Sequence, residues 1–199
     1  MTMSEPTYTA FIGNKRVATG RLAEVAIASK TAMTRAKSAA LLVFDDHTGE
    51  QVEVDLRGSS EAIRQRLAAP APINTVAASS DTPPPRTVGR PKLGVVAREV
   101  TLLPRHWQWL NSQPGGASVA LRKLVEHARR NNESKDRVRQ AQEVTYRFVV
   151  AIAGNQPGFE AATRALFANQ AEQFELQTAN WPPDIRDHAR KLAAAALNP

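Results

Sequence analysis

Cysteine is absent from the 199 residues, which excludes disulfide scaffolds and thiolate zinc sites and leaves no disulfide partner to expect. Long hydrophobic runs are missing too. The longest, Phe148 to Ala153 among them, fall far short of the about 20 residues that a membrane helix requires, so no membrane partner is expected. The opening MTMSEPTYTA has neither the basic start nor the apolar stretch of a secretory signal, and the expected location is the cytoplasm. Catalytic signatures are scarce as well. His47, His106, His127 and His188 lie in different segments with no ligand spacing, no glycine-rich phosphate loop follows a strand, and there is no GxSxG elbow. These histidines are expected at the surface or at helix ends, and no cofactor, metal site or catalytic residue is assigned. Asp45, Asp46 and Asp55 could hold a hard cation, but a hairpin turn and its solvated face account for the same residues. The chain is not expected to be an enzyme.

What is present is positive charge, and it is concentrated. The chain is basic, with a formal net charge of +7. From Arg86 to Arg139 there are twelve bases against four acids, while the remainder holds fourteen bases and fifteen acids. The whole excess therefore sits in one segment, and a polyanion is the natural partner for such a distribution.

The fold class expected is α+β. Residues 1–69 read as a small α+β domain: TYTAFI and RVATG form a hairpin turned by Gly13 and Asn14, and RLAEVAIASKTAMTRA suits an amphipathic helix. ALLVFDDHTGEQVEVDLRG follows as a second hairpin, with Val52, Val54 and Leu56 alternating against Glu53 and Asp55. Ser59 or Ser60 then caps a last helix carrying Ile63 and Leu67. Residues 70–95 form a linker rich in Pro, Ala, Ser and Thr. Residues 96–131 are a strand-helix-helix unit. Residues 132–199 are a helical domain, in which Asn131 and Asn132 end the preceding helix and a new one begins near Ser134. Phe159, Phe174 and Trp181 fit its core better than a ligand pocket.

The basic unit, REVTLLPRHWQWLNSQPGGASVALRKLV, carries the functional question. Val100 to Leu103 are strand-prone, and Pro104 stops a strand while suiting a helix's first turn. Trp107 and Leu110 share a helical face with Leu103, and Trp109 lies roughly 160° away from Trp107. One tryptophan is therefore core, and the other needs a partner. Gly115 and Gly116 allow the positive φ of a tight turn, and Ser118 is a good N-cap. Leu121, Leu124, Val125 and Ala128 form the buried stripe of the second helix and leave Arg122 and Lys123 outside.

Strand, proline, helix, glycine turn and capped helix, over about residues 97–130, resemble the ribbon-helix-helix family of bacterial repressors. That resemblance implies a homodimer through antiparallel strands whose two-stranded ribbon enters the major groove of duplex DNA. It further implies that the strand Arg98 to Leu102 faces bases, with Thr101 and either Arg98 or Glu99 left to read them, and that the Gly116 turn and the Ser118 helix start hold a phosphate; Arg122 and Lys123, outside the buried stripe, are expected as further DNA contacts. Val100, Leu102, Leu103, Trp107, Leu110, Leu121, Leu124 and Val125 would be the dimer core. The ribbon departs from the family's alternation, because aligning Pro104 with the family's helix start turns Val100 and Leu102 outward, and Glu99 would stand near phosphates. A helix-turn-helix is the competing parse, though it leaves the strand unexplained. In the linker, Gly89, Arg90 and Pro91 resemble the core of an AT-hook, with Val88 where another arginine is usual. Arg90 and Lys92 would then contact DNA through the minor groove, although linker punctuation explains the same residues.

The chain as a whole is similar to an uncharacterised bacterial family, a domain of unknown function sharing LLVFDD.TG, DLRG, GRPKLGV, REVTLLPRHW.WL..QPGGAS and PGFE.ATRALF. That similarity implies the domain layout and no activity. The expected function is a dimeric DNA-binding protein of the transcriptional-regulator kind. The alternative is a protein-interaction or dimerisation module that reuses the fold without binding DNA.

Overall fold

A computed structural model of the chain describes residues 6–35, 39–68, 96 and 98–198. The class is α+β, with three strands and seven helices among the described residues. These residues fall into two units, one drawn from Met1–Ala71 with Glu133–Pro199 and the other from Pro72–Asn132.

In the first unit, β1 (Tyr8–Ile12) and β2 (Lys15–Gly20) form the expected hairpin, turned through Gly13 at a φ of 56°. The register slips by one residue between Ala10 and Phe11. β3 (Leu41–Asp45) pairs antiparallel with the other edge of β1, giving the order β2-β1-β3. A central strand must bury both faces, and β1 buries Thr9, Ala10 and Phe11. Strand alternation sends successive residues to opposite sides. Ala10 and Val43 join Val25 of α1 (Leu22–Met33), whereas Phe11 and Phe44 join the helical core built by the C-terminal part of the chain. α2 (Ser60–Ala68) packs on α1, buries Ile63 and starts where Ser59 Oγ accepts a bond from the Ala62 N–H.

The second expected hairpin is only partly formed. Its return arm contributes a single bridge, Phe44 to Gln51, with the Val52 N–H donating to Val43 O at 2.7 Å. Farther along, two carbonyls of the arm are held by a side chain. The Arg66 guanidinium of α2 donates to the carbonyls of Asp55 and Arg57, at 2.8 and 2.9 Å, groups that a ladder would otherwise require. Val54 still packs on the Val25 cluster.

Five of the seven helices lie after residue 103. They are α3 (Pro104–Ser112), α4 (Gly116–Ala153), α5 (Phe159–Phe167), α6 (Ala171–Thr178) and α7 (Pro183–Leu197). α4 corrects the expectation of a break at Asn131 and Asn132, because its 38 residues are continuous. Asparagine costs a helix interior only about 0.7 kcal/mol relative to alanine, far less than proline would. Asn132 Nδ2 also donates to the Ala128 carbonyl at 2.9 Å, keeping its side chain on the helix surface.

Residues assigned from sequence to two domains, 1–69 and 132–199, share a core. Phe11 and Phe44 meet Phe148 of α4, with ring centroids 5.5 and 5.0 Å apart, in a cluster that continues through Leu166, Phe174, Trp181 and Ile185. Trp181 is core as expected and donates its Nε1–H to Pro157 O at 2.8 Å. The β3 turn approaches α4 closely at Gly49, whose φ is 71° and where a Cβ would fall 2.2 Å from Val144 O.

Candidate nucleic-acid interface

In the second unit, Leu103 is extended, with φ −66° and ψ 150°, and Pro104 opens α3 at its first turn. Arg98 to Leu102 form no strand, and no backbone–backbone hydrogen bond joins them to another described residue. A strand exists only against a partner strand. α3 ends with Gln113 N–H bonding to Leu110 O, and Gly115 and Gly116, at φ values of 87° and 74°, reverse the chain into α4.

Each expected site residue within the described part can be placed. Arg98, Thr101, Arg122 and Lys123 are exposed, and Gly116 is half-buried. Ser118 is exposed but does not cap: α4 starts two residues earlier, at Gly116, so the hydroxyl lies inside the first turn. The glycine pair permits that earlier start, since the second glycine supplies the turn conformation itself. No acid occupies the first turn of α4, so its free N–H groups and positive dipole end face no competing carboxylate. Arg122 Nε donates to Ser118 O at 3.1 Å, while Arg129 and Arg130 are both drawn to Glu126. Arg90, Lys92 and the AT-hook-like Gly89 to Pro91 lie outside the described residues, as does the whole expected linker, 70–95.

The expected dimer core divides sharply. Leu110 is buried at 3% exposure; Leu102, Trp107 and Leu121 are half-buried; and Val100, Leu103, Leu124 and Val125 are exposed, Val125 at 63%. Trp109 is also exposed, at 52%. Among the described residues from 96 to 132, Leu110 and Ala120 alone are buried.

A second cluster escaped the sequence reading and belongs to the first unit. Asp46 follows β3, its side chain is 9% exposed, and Lys191 Nζ of α7 donates to its Oδ2 at 2.8 Å. His188, one turn earlier on α7, is fully buried with Nε2 standing 3.3 Å from Asp46 Oδ1, its ring edge-on to Phe148 and Phe11. The spacing is close, yet the geometry is not that of an aligned hydrogen bond for Asp46 Oδ1 or either ring nitrogen. Burial by itself would raise the Asp46 carboxyl, but His188, Lys191 and Thr9 outweigh it and hold the group below its ordinary range. The expectation of a surface or capping histidine is therefore corrected for His188, whereas His47, His106 and His127 are exposed. A signal existed, because His188 occupies the apolar stripe of Ile185, Ala189, Leu192 and Ala196.

The neighbouring acids are structural. Asp45 Oδ1 accepts the His47 N–H at 2.7 Å and so closes the turn. Asp55 is held well below the usual carboxylate range, first by the Arg57 side chain and then by its backbone N–H. Among the described residues no group of three or more potential ligands is placed to hold a metal ion, and no helix is long and apolar enough to cross a membrane.

Residues 7–193 match the family model for an uncharacterised protein conserved in bacteria, DUF2239, and the chain belongs to that family. No curated protein and no solved structure matches it.

Proposed function

We propose that this family member is a dimeric DNA-binding protein, a transcriptional regulator that acts in the cytoplasm and catalyses no reaction. One observation carries the reading: the basic unit buries little more than Leu110 and Ala120 while exposing Val100, Leu103, Trp109, Leu124 and Val125 beside Arg98, Arg122 and Lys123. A two-helix segment of this size cannot stabilise itself on so small a core. Pairing Arg98 to Leu102 with the same segment of a second chain would complete their backbone bonds and cover the apolar side chains. The resulting ribbon would carry Thr101 to the base edges, with Arg98, Arg122, Lys123 and the α4 start on phosphates.

A second reading, the interaction module without DNA contact, is favoured by exposed Glu99 and Val100 on that same strand segment. A salt-titrated duplex-DNA binding assay on the full chain separates the two. The regulator binds at about 50 mM salt and loses affinity steeply as salt rises, through counterion release. Absence of duplex affinity at that salt removes the regulator reading. A full-length monomer at every concentration in sedimentation removes both.

A further inference from the structure

A cleft of about 320 Å³ opens beside the Asp46 cluster, lined by α4 and α7 and roofed by the β3 turn. Its apolar lining is made by buried Ala141 and Val144 of α4 and by half-buried Leu192 and exposed Ala195 of α7. Its rim is polar, with Arg137, Gln140, His47, Asp46 and Lys191. This volume is at the lower end for small-molecule pockets, which span roughly 300–1,000 Å³. Among the described residues Arg137 makes no hydrogen bond or ion pair, although it faces this concavity. Lys191 is fixed at the rim by the buried Asp46 carboxylate.

We propose that this cleft binds a small amphipathic monocarboxylate, its headgroup on Arg137 with Lys191 adjacent and its short apolar chain on Ala141, Val144, Leu192 and Ala195. The ligand class follows from three features. A guanidinium with all its donors free matches the two oxygens of a carboxylate in a forked pair. The two rim cations exceed the one rim carboxylate by a single charge, which suits a monoanion, whereas a phosphate dianion would be pressed against Asp46. The apolar lining offers nothing to a bare inorganic anion but supports an alkyl chain. Each of these residues belongs to the first unit, so the site stands independently of the DNA reading.

The test is calorimetric titration of the full chain with hexanoate, without DNA, against hexan-1-ol, hexylammonium and inorganic phosphate. Saturable binding of one equivalent of hexanoate is expected, with each of the other three at least about tenfold weaker, the scale of one charge-assisted pair. Arg137→Gln should weaken hexanoate about tenfold. Ala195→Phe, at an exposed helical position, should fill the cleft and abolish binding while leaving the melting curve in place. No saturable hexanoate binding, equal affinity for hexan-1-ol or phosphate, or unchanged affinity in either variant overturns the proposal. Failure here leaves the duplex assay untouched, and failure of the duplex assay leaves this site standing.

Discussion

The two units differ in what they do with their large apolar side chains. The first closes a continuous aromatic and aliphatic core from Phe11 and Phe44 to Phe174, Trp181 and Ile185. The second places comparable side chains, Val100, Leu103, Trp109, Leu124 and Val125, on its surface. Large apolar groups are exposed in the first unit as well, at Tyr146, Val150, Phe167 and Leu176, and exposure by itself is ordinary; the second unit differs in that Leu110 and Ala120 alone are buried among its described residues. On the proposed reading, the first unit supplies its own stability and the second gains its stability from a second copy of the chain.

Removing the centre of the first core should cost the most. Phe148 is fully buried and touches Phe11, Phe44 and His188. Phe148→Ala should cost about 3–5 kcal/mol, the transfer loss plus a cavity that α4 cannot collapse. Urea unfolding followed by tryptophan fluorescence, through Trp181, measures it, and the loss should not depend on protein concentration. A concentration-dependent midpoint would mean that the first unit also needs a partner.

Leu124→Lys with Val125→Glu should do the reverse. Each replaces an exposed apolar group that the proposed dimer buries, so sedimentation should show a dissociation constant raised about tenfold or more per residue. The urea midpoint of the first unit should stay unchanged. A dimer of undiminished affinity would place the interface elsewhere on the chain.

A smaller, pH-dependent effect sharpens the account of the first unit. The Asp46 carboxyl has its folded pKa lowered, so its contribution to stability is fully present above the unfolded value, near 3.9 for aspartate, and disappears as pH falls through the folded value. Asp46→Asn should therefore be less stable than wild type at pH 7, by about 1–3 kcal/mol, and the two unfolding curves should converge below about pH 4. Equal separation at every pH would show that the loss comes from packing rather than from charge.

How much of this was written locally in the chain depends on the range of the interaction. The β1–β2 hairpin was legible because Gly13 and Asn14 and the flanking strand residues specify it within a few positions. α1, α2 with its Ser59 cap, and the three C-terminal helices were legible for the same reason. The unit at 98–130 showed its helices and glycine reversal, but a strand pairing with another molecule is not decided within one chain. Asn131 and Asn132 misled because a weak helix preference was read as a stop, when only packing and the absence of proline or glycine decide continuity. The return arm of the second hairpin pairs only at Gln51 and Val52, and its far end is tied instead to α2 by Arg66, a contact that the alternating pattern does not mark. The joining of Phe11 and Phe44 with Phe148, and of Asp46 with His188, spans more than a hundred residues and leaves only a faint mark, a histidine in an apolar stripe.

The finest test lies within the second unit and asks what its exposed bases are for. Lys123 and Arg98 are exposed, and neither position carries a bond that the fold depends on, so alanine there should leave unfolding unaffected. On duplex DNA, removing one base from its phosphate should flatten the plot of log affinity against log salt by about 0.9, and affinity should fall by a similar factor on every sequence tested. Thr101→Ala should behave differently. A residue that reads a base edge carries discrimination without net charge, so the salt slope should hold while the preference between sites narrows. If all three variants shift affinity and slope in parallel, the segment binds as an unspecific basic surface, and the ribbon has no part in reading sequence.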